Sequence, residues 1–127
     1  MENPEDRKYS KTHEWCKVEG DIAVIGISDF AQHSLTDIVF VELPEVGKQI
    51  EAGKQLCVVE SVKSVSDVFS SISGEIVEVN KELEENPEKL NESPFETWIA
   101  KIKMSNPAEV DSLISAKDYS EFVKGLE

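Results

Sequence analysis

QLCVVESVKSVSDVFS, residues 55–70, contains two runs rich in β-branched and apolar residues, 55–60 and 65–70, separated by Ser61, Val62, Lys63 and Ser64. β-Branched side chains pack well on a pleated sheet, and small polar residues between two such runs favour a reversal. The stretch therefore reads as a β-hairpin with Lys63 near its tip. Around it runs an internal repeat: Gly47, Ile50, Glu51, Gly53, Lys54 and Leu56 recur as Gly74, Val77, Glu78, Asn80, Lys81 and Leu83. Glycine and asparagine tolerate left-handed backbone best, so both copies are expected to turn alike, Gly53 matching Asn80. Two similar β-units with one hairpin between them predict a mainly β, pseudo-twofold sandwich or flattened barrel.

Toward the N-terminus, WCKVEGDIAVIGI (15–27) clusters apolar residues about Glu19, Gly20 and Asp21, the pattern of a second hairpin. Ser28 is placed to cap a short helix, DFAQHSL (29–35), and IVFVEL (38–43) is a strand ended by Pro44. Toward the C-terminus, KELEENPEKLNES (81–93) is polar and interrupted, and reads as a connecting loop with a turn of helix after Asn86. WIAKIKM (98–104) follows as a strand. Asn106 as cap, Pro107 in first position and Glu109 in third then predict a helix start, with Val110, Leu113 and Ile114 on its apolar face. Ser115 is a second cap, after which Tyr119, Phe122, Val123 and Leu126 recur at helical spacing. The expected organisation is a single domain over 1–127, with a β core at about 15–104 and a C-terminal helical cap at 106–126.

A chain of 127 residues suits one core, and 39% hydrophobic with 31% charged residues lies within globular norms. No apolar run approaches the ~20 residues of a membrane span, and MENPEDRKYSK lacks the apolar stretch of a signal peptide. Its acidic residues also speak against a mitochondrial transit peptide, so a cytoplasmic location is expected, or the mitochondrial matrix for a processed eukaryotic form. The formal charge of −13 disfavours nucleic acid and anionic lipid and favours basic partner surfaces.

Cys16 and Cys57 form no CxxC pattern, and Cys57 lies in the apolar run LCVV, so both are expected as buried thiols. His13 and His33 lack metal-ligand company, and HEW (13–15) lacks the second histidine of a zinc helix, so no metal site is expected. No GxSxG, GxxxxGK[ST] or GxGxxG segment occurs. A non-catalytic protein that serves other proteins' active sites, and reads as a monomer, is the simplest expectation.

Taken alone, a lysine at a hairpin tip is an ordinary solvated side chain. Its flanks change that reading: Glu60, Ser61, Val62, Lys63, Ser64, Val65, Ser66 and Asp67 resemble the lipoylation site of the glycine cleavage system H protein family. The resemblance continues through KYSKTHEW (8–15), GISDFAQ (26–32), DIVFVELPEVG (37–47), SGEIVEVN (73–80), NESPF (91–95), Trp98 and SAKDYSEF (115–122), in the family's order. Thr36 stands where the family commonly has glycine, Ser71 where it commonly has proline, and PFETW (94–98) is shorter than usual and lacks glycine. A biotin carrier is disfavoured, because no methionine flanks the lysine.

The resemblance implies a lipoyl/biotinyl-type fold, a hammerhead in outline, with lipoate attached covalently to Lys63. Glu60, Ser61, Val62 and Asp67 would be read by the modifying system, either a lipoate ligase or an octanoyltransferase with lipoyl synthase. A lysine amine is protonated at neutral pH and a poor nucleophile, so the acylation needs such an enzyme. The implied partners are a pyridoxal-phosphate glycine decarboxylase, a tetrahydrofolate-dependent aminomethyltransferase and dihydrolipoamide dehydrogenase. Thr12, Glu14 and Asp67 match the positions that hold the aminomethyl-loaded arm in the family. Two other readings stay open from the residues: an H-like protein that relays lipoate to other complexes, and an interaction module whose lysine is never acylated.

Overall fold

The computed structural model describes residues 2–126, so the two terminal residues of the expected 1–127 domain lie outside it. Among the described residues, nine strands form two antiparallel sheets. The larger runs β1 (Lys8–Tyr9), β2 (Glu14–Glu19), β3 (Ile22–Ile27), β9 (Ala100–Met104), β8 (Gly74–Val79) and β5 (Gln49–Ile50) in spatial order. The smaller is β4 (Ile38–Glu42), β6 (Gln55–Ser61) and β7 (Val65–Phe69). The alternation in AKIKM explains β9: Ala100, Ile102 and Met104 are buried while Lys101 and Lys103 face outward. Ala23 and Ile25 of the larger sheet meet Val41, Val59 and Val68 of the smaller in one apolar cluster. That is the expected mainly β sandwich.

The internal repeat has a structural counterpart. Gln49 pairs with Glu75, and exchanging each residue for its counterpart in the other copy gives Ile76 and Lys48, which are themselves bonded through Ile76 N–H to Lys48 O at 2.9 Å. The copies therefore pair with each other about a pseudo-twofold. They part at their ends: Gly53 has φ +87°, but Asn80 is not left-handed. Instead the Asn80 side chain donates to Trp98 O at 2.8 Å, and the chain enters α2 (Glu82–Glu85) rather than a strand. The expected common turn is thus half right, because asparagine found a side-chain partner that glycine lacks.

Ser28 accepts from Ala31 N–H and caps α1 (Asp29–Leu35), as its place in the sequence predicts. The polar stretch after Lys81 holds a second helical turn besides the expected α3 (Lys89–Glu92): Leu83 in α2 and Leu90 in α3 are both fully buried, anchors too sparse to show a period. The expected α-helix after Asn106 is a 3-10 helix, Pro107–Ser112, with no side-chain cap. Glu109 turns away to accept from Ser73 N–H and Oγ–H at 2.8 and 2.9 Å, so the third-position acid serves the distant residue that leads into β8. Ile114 leaves the helical face and bridges Tyr9 in antiparallel fashion. Ser115 caps α4 (Ala116–Lys124), where Tyr119 is fully buried and Phe122 and Val123 partly so, while Leu126 lies beyond the helix and is exposed.

The shortened segment before Trp98 is held from several sides. Trp15 Nε1–H donates to Pro94 O at 3.0 Å, and Arg7 donates to Phe95 O at 2.7 Å while lying over the Trp15 ring. Gly26 is required beneath that indole, since a Cβ there would stand 2.4 Å from a ring carbon. Cys16 and Cys57 are free and buried, and burial pushes both thiols up to about 12. Among the described residues no helix is long and apolar enough to cross a membrane.

Candidate functional site

The hairpin of β6 and β7 presents Lys63. Ser61 builds the turn beneath it: its N–H donates to Ser64 O at 2.8 Å, and its Oγ accepts from the N–H groups of Lys63 and Ser64 at 3.3 and 3.1 Å. This is the local backbone-binding habit of serine, and it fixes the tip without any bulky residue. Val62 N–H donates to Asp37 O at 3.0 Å, tying the tip to the start of β4. Lys63 is exposed, and Val62 and Val65 on either side are each 66% exposed. Glu60 sits one step back in the ladder, opposite Val65 and Phe40.

A second group of polar residues lies where β7 ends. The turn between β1 and β2 supplies Ser10, Thr12 and Glu14, at alternate positions. Glu14 is only 2% exposed. Its Oε1 accepts from Ser10 Oγ–H at 2.6 Å and from Thr12 Oγ1–H, and its Oε2 accepts from Phe69 N–H at 3.2 Å. Burial holds its carboxyl above the usual carboxylate range, with these hydrogen bonds opposing. These groups border a cavity of about 260 Å³ whose wall also includes Phe69, Ser71 and Leu113. Ser71 Oγ is buried and has no hydrogen-bond partner among the described residues.

Asp67 stands between the two features. It is exposed, accepts from Gln55 Nε2–H at 2.6 Å, and pairs across the ladder with Val58. Thr12 and Glu14 are thus brought into direct contact, while Asp67 is not part of their hydrogen-bonded group. It shares the outward face of β7 with Val65 and Phe69, since strand side chains alternate. From Val65 to Phe69 the strand covers about 13 Å at ~3.3 Å per residue. A long arm leaving the tip and running back along this face passes Asp67 before it meets the Glu14 cavity.

The family model for the glycine cleavage H-protein matches residues 7–126. The chain belongs to that family. It is 54% identical to the glycine cleavage system H protein of Symbiobacterium thermophilum, over 95% of each chain, and 57% identical to that of Alkaliphilus oremlandii, over 90% of each. It superposes on the crystal structure of the H protein from Mycobacterium marinum with a TM-score of 0.86, at 36% identity, covering 94% of this chain and 97% of that one. H proteins carry lipoate, and the role that comes with the family is that of lipoyl carrier in the glycine cleavage system.

The exposed Lys63 tip and the cavity that Glu14 borders thus lie toward opposite ends of one strand, β7. Ser10, Phe69, Ser71 and Leu113 are not expected as site residues from the sequence, where Ser71 stands out only as a replacement for proline and Leu113 only as part of a helix face. Ser10 had a signal, because it alternates with Thr12 and Glu14. Phe69 contributes a backbone N–H that any residue except proline would supply, and Leu113 arrives from a distant segment.

Proposed function

We propose that Lys63 bears the lipoyl group of this H protein and that the Glu14 cavity receives the loaded end of the arm. The observation that carries this reading is the exposed lysine on a serine-built tip, joined by one outward strand face to a mostly apolar cavity that Glu14 borders. The cavity fits such an arm: Phe69 and Leu113 suit its aliphatic part, while Glu14 suits its polar end. When bound, the group supplies a dithiolane able to accept an aminomethyl unit and afterwards to be reoxidised.

The chain's own residues do the rest. Ser61 fixes the direction in which Lys63 leaves the sheet. Glu60, Val62 and Asp67 form the flank that a lipoate ligase, or an octanoyltransferase with lipoyl synthase, reads. Glu14 offers a buried carboxylate to an incoming ammonium, a charge-assisted pairing stronger than a neutral one, and Thr12 and Ser10 hold that carboxylate in place. Burial limits the access of water to whatever is held there.

In this reading the chain performs no catalysis. A pyridoxal-phosphate glycine decarboxylase loads it, a tetrahydrofolate-dependent aminomethyltransferase unloads it, and dihydrolipoamide dehydrogenase restores the disulfide, all in the cytoplasm. The tether keeps the reactive group at high local concentration around each docked partner.

Intact mass after expression with lipoate and a ligase tests the attachment. The wild type should gain one lipoyl increment and Lys63→Ala none; an increment that persists in Lys63→Ala would sink the assignment. Glycine–CO2 exchange with the purified decarboxylase tests the role. A lipoylated protein that supports no exchange would point to a lipoate relay instead.

A further inference from the structure

The turn that carries Thr12 and Glu14 is held from outside by one residue of the C-terminal helix. His13, between them, has φ +75°, a region few residues besides glycine occupy, although asparagine, aspartate and histidine enter it more often than the rest. Its backbone is bonded at both ends, N–H to Ser10 O at 3.1 Å and O from Ser28 N–H at 3.0 Å. Its ring lies against Phe30, with centroids 4.6 Å apart, and its Nδ1 is 2.7 Å from Tyr119 Oη. The same hydroxyl is 2.7 Å from Ser28 Oγ, the cap of α1. The Tyr119 ring also stacks on Tyr9 at 4.8 Å and 8°, and Tyr119 is fully buried. One side chain thus grips residues 9 and 13, and the residues that build the Glu14 group alternate at 10, 12 and 14.

We infer that Tyr119 is a positioning residue for the Glu14 carboxylate, acting through His13 to hold the Ser10–Thr12 donors in register. Its relevance to the arm depends on the cavity reading given above. Without the hydroxyl, His13 and Ser28 each lose a buried partner, and a left-handed residue has less to hold it. Ser10 and Thr12 then drift from Oε1, and the Phe69 amide loses a fixed acceptor at Oε2. α4 would therefore tune the cavity although none of its residues borders it.

Tyr119→Phe keeps the ring and removes only the hydroxyl. In the unmodified protein, amide hydrogen exchange at Phe69 should quicken by roughly five- to tenfold, the worth of one buried hydrogen bond. The Met104 amide, bonded to Asp21 O at the end of β3 opposite Ser28, should not change. An unchanged Phe69, or equal acceleration at both amides, would overturn the inference, the second because it marks general destabilisation. His13→Asn, which tolerates the left-handed backbone and keeps an acceptor for Tyr119, should preserve Phe69 protection, whereas His13→Ala should lose it; equal behaviour of these two variants would also count against it.

In the lipoylated and aminomethyl-loaded protein, Tyr119→Phe should let water release the group faster, as ammonia and formaldehyde with the dithiol left free, while its rate of lipoylation stays that of wild type. Glu14→Gln separates the two claims. If that variant holds its cargo as well as wild type, the cavity reading fails, while the Phe69 exchange still decides the part played by Tyr119.

Discussion

His13 is a half-buried residue whose titration departs from that of a free imidazole. Burial holds its imidazole below the usual histidine value. In the unfolded chain the ring takes a proton as pH falls through about 6.5, while in the folded chain it refuses one until lower pH. The unfolded state then binds more protons, so this group's contribution is full above that range and is lost as pH falls from 6.5 toward the folded value. Glu14, whose value is raised, works with the opposite sign, so the comparison must isolate His13. Urea unfolding at pH 7 and pH 5 should show a larger fall in stability for wild type than for His13→Asn; parallel falls would show that the ring titrates freely. At this scale Lys63 was legible because a hairpin tip and its flanks are local signals. The depth of Glu14 was not, since burial of a carboxylate depends on Ser10, Thr12 and a strand more than fifty positions away in the chain.

Among the elements, α1 and its exit show how far local rules reach. Ser28 caps it as the sequence suggests, and Asn91 closes it, donating to Thr36 O at 2.8 Å and accepting from Ile38 N–H at 2.9 Å. Between those contacts Thr36 adopts φ 64°, ψ −147°, a conformation open chiefly to glycine. The sequence marks the same position, for glycine is what the family commonly places there. The strain is of order 1–3 kcal/mol, and a new glycine returns part of it as chain entropy. Thr36→Gly is therefore expected to raise unfolding stability by about 1 kcal/mol, read as a higher urea midpoint at unchanged slope; a lower midpoint would show the threonine to be relaxed. The 3-10 helix shows where local rules stop. Asn106, Pro107 and Glu109 are spaced for an α-helix start, but the Ser73 amide and hydroxyl compete for the Glu109 carboxylate, and sequence proximity cannot reveal a partner 36 positions away.

For the whole molecule, the pseudo-twofold sandwich was readable from the repeat and the hairpin, because both are periodic signals. The splitting of nine strands into sheets of six and three was not, for it depends on which edges pair after collapse. One cluster joins the sheets: Ile25, Ile76 and Ile102 of the larger pack with Val41, Val59 and Val68 of the smaller. A second lies on the outer side of β2 and β3, where Trp15, Tyr9 and Phe95 meet Tyr119 of α4, with Trp98 packed alongside. Neither sheet can open without exposing the other's apolar face, and α4 cannot leave without uncovering Tyr9, which belongs to the same cluster as Trp15. We therefore propose that core and C-terminal cap unfold as one domain. Val59→Ala provides the test, because Val59 is fully buried in the small sheet and both tryptophans belong to the other cluster. The deletion should cost on the order of 2 kcal/mol. If the domain is cooperative, tryptophan fluorescence and far-ultraviolet circular dichroism will shift by the same amount and stay coincident, although the substitution lies in the sheet that holds neither indole. A fluorescence midpoint left at its wild-type value while the dichroism falls would divide the chain into two units, and the hairpin that presents Lys63 would then melt apart from the cavity proposed to receive a lipoyl arm.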